Sequence, residues 1–248
     1  MSSGFKRVVV NRATQRLIPF YRRYPFTSPV SICSADDRGC VEFELGFFCN
    51  RIPKAANSSV MTALAHFKRG HPVPSKEAKK LFRTPAALSP SEVARFDRLF
   101  KFAMVRNPFA RTLSAYLDKV ERKARMHDRS SRFEDFVTYL ENDGLYRNAH
   151  WAPQTALLLL PPERFDFFGK VERYAEDWAQ VLRGLQGLEP GTASTPGIFD
   201  NATGANDKLA RYYTPELAER VARLYRADFA AFGYDAGALP VAAVAQAG

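Results

Sequence analysis

The fold is decided by residues 46–68, which read GFFCNRIPKAANSSVMTALAHFK. The apolar and aromatic run that opens this stretch predicts a buried strand within 41–52, most clearly over 46–52. Pro53 ends that strand because proline cannot donate to a sheet. Apolar side chains then recur at helical spacing over 57–68, which predicts an amphipathic helix. The predicted order is strand, short polar turn and helix.

A second strand and helix follow the same order further along the chain. FKFAMVR (100–106) is another short apolar run, and the Asn107 and Pro108 that follow it are typical of a helix start. RFDFFG (164–169) predicts a third strand, with a helix after it at about 174–185. Short apolar strands that alternate with amphipathic helices indicate an α/β fold with a parallel sheet and flanking helices. In such sheets ligands bind at the carboxyl ends of the strands.

Two further helices are predicted from their first residues. Ser131 and Glu134 have the spacing of a capping box for the helix FEDFVTYL (133–140). Thr214 before Pro215 predicts the start of a last amphipathic helix.

Length and composition predict one principal domain. The chain has 248 residues, of which 46% are hydrophobic and 25% charged, as in ordinary globular proteins. We expect a basic arm at 1–40, a domain at 41–235 with a Gly- and Pro-rich loop near 186–207, and a flexible tail at 236–248. No run of about 18 apolar residues is present, so we expect no membrane span, and we expect no secretory signal.

The positive charge is concentrated in two segments. The chain has 36 basic and 26 acidic residues, a net charge of +10. Residues 1–30 contain six bases and no acid, and 119–132 contain six bases and two acids. Such segments attract phosphates, polyanions or an anionic membrane surface, and the alternative interpretation is a solvated surface.

The three cysteines indicate a reducing compartment. Cys33, Cys40 and Cys49 are odd in number and form no Cys-x-x-Cys pair, so neither a disulfide framework nor a zinc site is predicted. We expect reduced thiols, a cytoplasmic location and a buried Cys49.

The first strand leads into a turn that can bind an anion. A helix N-terminus offers unpaired N–H groups and partial positive charge, small residues let the backbone approach the anion, and hydroxyls and an ammonium add donors. The candidate binding residues are Lys54, Ala55, Ala56, Asn57, Ser58 and Ser59. The alternative is an ordinary capped helix with a solvated lysine.

The second strand ends in a similar way. Arg106 follows the apolar run, and Ser114 lies eight residues later on the predicted helix. A guanidinium and a hydroxyl placed in this way can hold one phosphate from two sides. The alternative is an arginine paired with a surface carboxylate.

Taken together, these stretches resemble a known family. Pro-Lys-small-small-x-Ser-Ser (53–59) is similar to the 5′-phosphosulfate loop of sulfotransferases, and RNPFARTLSAY (106–116) is similar to their 3′-phosphate motif. HWAPQ (150–154), FDFFGKVERYAEDWAQVL (165–182) and LYRADFAAFGYD (224–235) extend the resemblance to carbohydrate sulfotransferases of the chondroitin and dermatan type.

The resemblance implies a P-loop-like sulfotransferase architecture, with 3′-phosphoadenosine 5′-phosphosulfate as the sulfonate donor. Lys54 would contact the 5′-phosphosulfate and stabilise charge on the leaving oxygen. Backbone N–H groups of 55–59 and the two serine hydroxyls would hold the sulfonate and the 5′-phosphate. Arg106 and Ser114 would bind the 3′-phosphate. Asn57 stands where relatives often have Gly or Cys, and Asn tolerates left-handed backbone angles better than most residues.

The expected reaction moves a sulfonate to a hydroxyl of a carbohydrate or other hydroxylated acceptor, and no metal is expected. A general base must take the acceptor proton. His150 is the candidate, because it lies beside Trp151, which can stack on a sugar; the alternative is a structural His–Trp pair. The basic segment 119–132 would suit an acidic acceptor.

Two other functions are consistent with parts of the sequence. A nucleotide-binding, kinase-like enzyme would use 53–59 as a phosphate loop, although the glycines of such loops are missing. A non-catalytic polyanion-binding module would use the basic segments. Under the leading interpretation we expect no nucleic-acid partner, and the basic arm leaves peripheral membrane contact open.

Overall fold

The computed structural model describes residues 3–127, 131–185 and 204–240, with side chains from Val10 onward. The strands are β1 (Gly39–Glu42), β2 (Phe47–Asn50), β3 (Phe100–Val105) and β4 (Phe167–Lys170). The α-helices of the described residues, in chain order, are α1 (Ser3–Leu17), α2 (Pro19–Arg23), α3 (Ile32–Asp36), α4 (Asn57–Arg69), α5 (Ser75–Ala78), α6 (Pro90–Arg95), α7 (Pro108–Tyr116), α8 (Arg122–Met126), α9 (Phe133–Tyr139), α10 (Gln154–Leu157), α11 (Tyr174–Gly184), α12 (Ala205–Tyr212), α13 (Pro215–Leu224) and α14 (Arg226–Phe232).

The sheet has the strand order β1-β2-β3-β4. β2, β3 and β4 are parallel, and β1 pairs with β2 in the antiparallel direction. The predicted α/β class is therefore confirmed. The strand predicted most clearly over 46–52 is confirmed as β2, whereas its extension back to 41 as one strand is wrong, because the chain reverses after Glu42. Gly46, at the end of that reversal, has a φ of 69°, a conformation that glycine adopts without steric cost.

Three other predicted helices are confirmed, whereas one predicted capping box is not. Helices are confirmed over 57–68 and after Pro108 and Thr214, whose hydroxyl accepts a hydrogen bond from the Leu217 N–H. The capping box predicted for 133–140 is absent, because Arg132 occupies the N-cap position without a side-chain bond.

The residues of the failed capping box have other partners. Ser131 precedes the N-cap residue Arg132, and its backbone carbonyl accepts a hydrogen bond from the hydroxyl of Tyr116 at 2.8 Å. A capping box does form at α6, between Ser89 and Glu92.

The chain divides into two compact units. The first comprises Met1–Val105 and Gln154–Phe199, and the second comprises Arg106–Pro153 and Asp200–Gly248. The whole sheet belongs to the first unit, whereas α7–α9 and α12–α14 belong to the second. The predicted domain at 41–235 thus contains parts of both units.

Aromatic side chains form much of the core of the first unit. Phe20 of α2 packs edge-to-face on Phe96 with ring centroids 5.0 Å apart, and Phe48 of β2 packs on the same ring at 5.1 Å. The buried Tyr21 donates a hydrogen bond to Asp36 at 2.6 Å. The segment expected as a basic arm is therefore integrated into this unit, in which Asn11 and Gln15 of α1 also make hydrogen bonds.

The second unit has its own aromatic core. Phe109 of α7 packs on Tyr213 and on Phe229, with ring centroids 5.5 and 4.9 Å apart. Phe133 of α9 packs on the rings of Tyr116, in α7, and Tyr213. These contacts surround α7 and hold it in the interior of the unit.

Two expectations fall largely outside the described residues: most of the loop at 186–207 and the end of the tail at 236–248. α12 begins at Ala205, inside the range expected as loop. Cys49 is buried as predicted, and burial raises the pKa of its thiol and raises that of Cys40 to about 11. In the described part of the chain, every helix is too short or too polar to cross a bilayer.

Candidate functional site

The turn between β2 and α4 has a strained backbone. Lys54 and Ala56 both have positive φ, 69° and 53°. A left-handed conformation costs an L-amino acid with a Cβ about 1–2 kcal/mol. Such strain persists only where the surrounding structure imposes it, and it is concentrated at ligand sites. Asn57, the residue considered for this role from the sequence, is instead the first residue of the helix.

This turn places a helix N-terminus beside basic side chains. Ala56 is the N-cap residue of α4, and it makes no side-chain bond to the first N–H groups. Ser58 accepts a hydrogen bond from the ammonium of Lys79 at 3.0 Å. The buried Oδ1 atom of Asn57 has no hydrogen-bond partner among the described residues. The turn therefore combines a positive helix end with two lysines and a polar atom that the protein does not satisfy.

The end of β2 is fixed by a buried amide. Asn50 accepts a hydrogen bond from the Leu159 N–H at 2.8 Å and donates one to the Leu157 carbonyl at 3.2 Å. Both bonds stay within the first unit. The strand end that leads to the turn is therefore tied to the segment after α10.

The second set of candidate residues lies on α7 and just before it. Asn107 is the N-cap residue, and its Oδ1 accepts a hydrogen bond from the Phe109 N–H at 2.9 Å, as the sequence predicts. Arg106 and Ser114 are both buried. One N–H group of Arg106 donates to the Asn206 carboxamide at 2.6 Å. Arg106 is thus held by a neutral partner from α12.

His150 lies in a turn at 148–152 and is half-buried. Its Nδ1 lies 2.8 Å from the Oδ1 of Asn148, which also accepts the His150 backbone N–H at 3.0 Å. A carboxamide oxygen can only accept, so Nδ1 carries the proton of the neutral ring. Nε2 is then the basic nitrogen, as a general base requires.

The structure groups the candidate residues by unit. The first unit contains the six residues of the turn, Lys54 to Ser59, and the second contains Arg106, Ser114 and His150. The joint action of the two sets on one donor molecule is a proposal that needs a binding experiment.

Three residues of these sites were missed from the sequence: Lys79, Asn206 and Asn148. Lys79 and Asn206 are 21 and 100 residues away from their partners in the chain, so no local pattern reveals them. Asn148 could have been noticed, because an Asn two residues before a candidate His often bonds the backbone locally.

The fold agrees with a comparison of the sequence with known families. Residues 40–235 match the sequence profile of a family described as "Sulfotransferase family". This match covers most of the chain. The chain therefore belongs to the sulfotransferase family.

Individual relatives point in the same direction. Carbohydrate sulfotransferase 10 of Gallus gallus is 28% identical over 186 residues, covering 60% of this chain and 51% of the relative. Carbohydrate sulfotransferase 11 of Rattus norvegicus is 29% identical over 173 residues, covering 56% and 48%. Carbohydrate sulfotransferase 14 of Mus musculus is 33% identical over 119 residues, covering 39% and 32%. The chain spans about half the length, or less, of these relatives. No solved structure matches it.

Substitution of two adjacent alanines tests the strained turn. Ala56→Gly should leave the free energy of unfolding unchanged or raise it by up to about 1 kcal/mol, because glycine removes the left-handed strain and offsets the lost methyl contact. Ala55→Gly, at a position without positive φ, should lower it by about 1–2 kcal/mol. Urea denaturation measures both, and equal losses would show that the turn is not strained at Ala56.

Proposed function

We propose that this chain transfers a sulfonate from 3′-phosphoadenosine 5′-phosphosulfate to a hydroxyl of a carbohydrate. The observation that carries the proposal is the strained turn with basic side chains at the N-terminus of α4, in a member of the sulfotransferase family. The names of the relatives support a carbohydrate acceptor for this chain. The donor is the one implied by the family.

The turn after β2 suits the sulfonate end of the donor. Its helix N-terminus, small residues and uncapped first turn fit an anion that needs close backbone approach. In this proposal Lys54 stabilises the charge that develops on the leaving oxygen, and Ala55 to Ser59 contribute N–H groups and hydroxyls. Lys79, through its contact with Ser58, adds a second positive charge that the sequence alone did not indicate.

The start of α7 suits the 3′-phosphate. Arg106 offers a planar set of five N–H donors, one of which bonds Asn206, and Ser114 offers a hydroxyl. A guanidinium that is already oriented loses little freedom when it binds a phosphate. We therefore assign to Asn206 the role of orienting the guanidinium of Arg106.

His150 is assigned the role of general base. The hydrogen bond from Nδ1 to Asn148 leaves Nε2 as the nitrogen that accepts the proton of the acceptor hydroxyl. The donor supplies the activated sulfonate, and the protein mainly orients the reactants and neutralises charge. The assignment includes no metal, and this part stays a prediction.

Binding of 3′,5′-adenosine bisphosphate tests the donor assignment. Calorimetry should show binding to the wild type and a loss of about 10-fold or more in Arg106→Ala and in Ser114→Ala, because each removes a hydrogen bond to a charged phosphate. Arg98→Ala, which changes an exposed arginine of the first unit, is the control. Lys54→Ala should abolish sulfonate transfer.

The same experiment separates the two alternative functions. Tighter binding of ATP than of 3′,5′-adenosine bisphosphate would favour a kinase-like enzyme. Salt-sensitive heparin binding in wild type and Lys54→Ala alike, without nucleotide binding, would favour a polyanion-binding module.

The basic segment at 119–132 is proposed to recognise an acidic acceptor. Arg122 pairs with Asp118 at 3.0 Å, and Arg125 pairs with Glu121. Exposed pairs of this kind are weak, so an acidic glycan can compete for the arginines. Lys123 lies on the same helix, α8.

Removal of the positive charge of α8 should change the KM for the acceptor and leave the affinity for the donor unchanged. Arg122→Ala, Lys123→Ala and Arg125→Ala combined should raise the KM for an acidic acceptor several-fold and leave donor affinity unchanged, since salt bridges between exposed groups are screened and local. Steady-state kinetics with an acidic and a neutral acceptor measure the effect, and unaltered acceptor KM would contradict the assignment.

We also propose peripheral contact of α1 with an anionic membrane surface. Two polar side chains of α1 bond the first unit: Gln15 donates to the Phe26 carbonyl at 2.7 Å and Asn11 to that of Val30 at 3.2 Å. The same helix carries the exposed Leu17. The arginines at 12 and 16 are exposed as well, so this part of α1 offers an apolar side chain beside positive charge to an anionic surface. The expected cytoplasmic location stays a prediction.

Vesicle sedimentation tests this contact. Leu17→Ser should weaken binding to phosphatidylserine-containing vesicles about 10-fold or more, because a leucine side chain contributes about 1.5–3 kcal/mol when it leaves water. Met126→Ser is the matched control, since Met126 is 74% exposed and Leu17 is 76% exposed. Equal binding of all three proteins would contradict the contact.

A further inference from the structure

Helix α7 carries a buried arginine whose guanidinium bonds the turn that contains His150. Arg111 is 1% exposed. Its Nη1 donates to the carbonyl of Ala152 at 2.8 Å, and its Nη2 donates to the carbonyl of Ala149 at 3.1 Å. These two carbonyls flank His150 on both sides in the chain. The planar guanidinium therefore bonds the backbone both before and after His150, the residue assigned as the general base.

A tyrosine bonds the carbonyl between these two. Tyr225, at the start of α14, is buried, and its hydroxyl donates to the carbonyl of Trp151 at 2.6 Å. The indole N–H of Trp151 donates to the Gly144 carbonyl at 2.9 Å. The backbone on either side of the imidazole is thus fixed from three directions, all within the second unit.

The guanidinium of Arg111 is buried, and the net effect of its surroundings is to lower its pKa. Asp228 is fully buried, and its charge favours the protonated guanidinium, whereas burial lowers the pKa of Arg111. Burial of a guanidinium therefore adds little net stability compared with apolar packing. Its advantage is geometric, because the two N–H groups point in fixed directions in one plane.

We propose that Arg111 is a positioning residue for His150, holding the turn at 148–152 so that the imidazole keeps one orientation and one tautomer. The catalytic consequence rests on the proposed function, whereas the orientation itself is a property of the second unit. Ser114 lies three residues further along the same helix. One helix would then carry a ligand of the donor phosphate and fix the turn of the base.

A readout independent of activity tests the orientation. Nitrogen-15 NMR of the histidine side chains should show a single neutral tautomer of His150, protonated at Nδ1, in the wild type. In Arg111→Lys and in Tyr225→Phe the resonance should broaden or shift toward a mixture of tautomers. Tyr213→Phe is the matched control, because it also removes one buried hydroxyl bond to a carbonyl, that of Phe109, in the same unit.

The spectra of these variants can support or overturn the proposal. An unchanged His150 signal in both Arg111→Lys and Tyr225→Phe would overturn it, and so would an equal change in Tyr213→Phe. Tyr225→Phe removes only one hydroxyl, so it keeps the test available if Arg111→Lys does not fold. Because this readout needs no turnover, it also decides the matter if the chain transfers no sulfonate.

Kinetics test the catalytic consequence. Arg111→Lys should lower kcat about 10- to 100-fold, as expected for a displaced reacting group, with the affinity for 3′,5′-adenosine bisphosphate within about 2-fold of the wild type. The same substitution in a His150→Ala background should cause no further loss, because Arg111 acts through His150. A full additional loss in that background would show that Arg111 acts elsewhere.

Discussion

The parallel pairing of β2 with β3 is the constraint on which the proposed donor site depends. Phe47 lies opposite Phe100, and Cys49 lies opposite Phe102, so the two strands run in the same direction and end at the same edge of the sheet. The turn before α4 follows one strand, and Arg106 follows the other directly in the chain. With an antiparallel pairing the two strands would end at opposite edges of the sheet, and the two segments proposed to bind the donor phosphates would not follow the same edge.

The sequence was sufficient for the elements whose pattern is local. Apolar runs predicted β3 and the parallel sheet, and the Asn-Pro and Thr-Pro pairs predicted two helix starts. The reversal between β1 and β2 was missed because its turn contains Phe43 and Leu45, which continue the apolar run across the reversal. Helix α1 was missed because its sequence has no clear apolar stripe at helical spacing, and the residues that bond it to the first unit, Asn11 and Gln15, are polar.

The candidate site residues also fall into two groups, those indicated by a local sequence pattern and those without one. Lys54, Arg106 and His150 could be proposed from the sequence because they stand in recognisable motifs. The residues proposed to orient Arg106 and His150 are evident only in the structure, because hydrogen bonds over 41 and 100 residues of chain, from Arg111 to Ala152 and from Arg106 to Asn206, leave no local pattern. Backbone strain at Ala56 was likewise hidden, since alanine is rare in the left-handed region and nothing in its neighbours requires that conformation.

The central claim is that the two turns bind opposite ends of one nucleotide, and truncated ligands test it most directly. Affinities of 3′,5′-adenosine bisphosphate, 5′-AMP and 3′-AMP are measured by calorimetry for wild type, Arg106→Ala and Lys54→Ala. The account predicts that Arg106→Ala abolishes only the preference for the bisphosphate over 5′-AMP, and that Lys54→Ala abolishes only the preference over 3′-AMP. If either variant keeps the preference assigned to it, the two turns do not hold the ends of the same molecule.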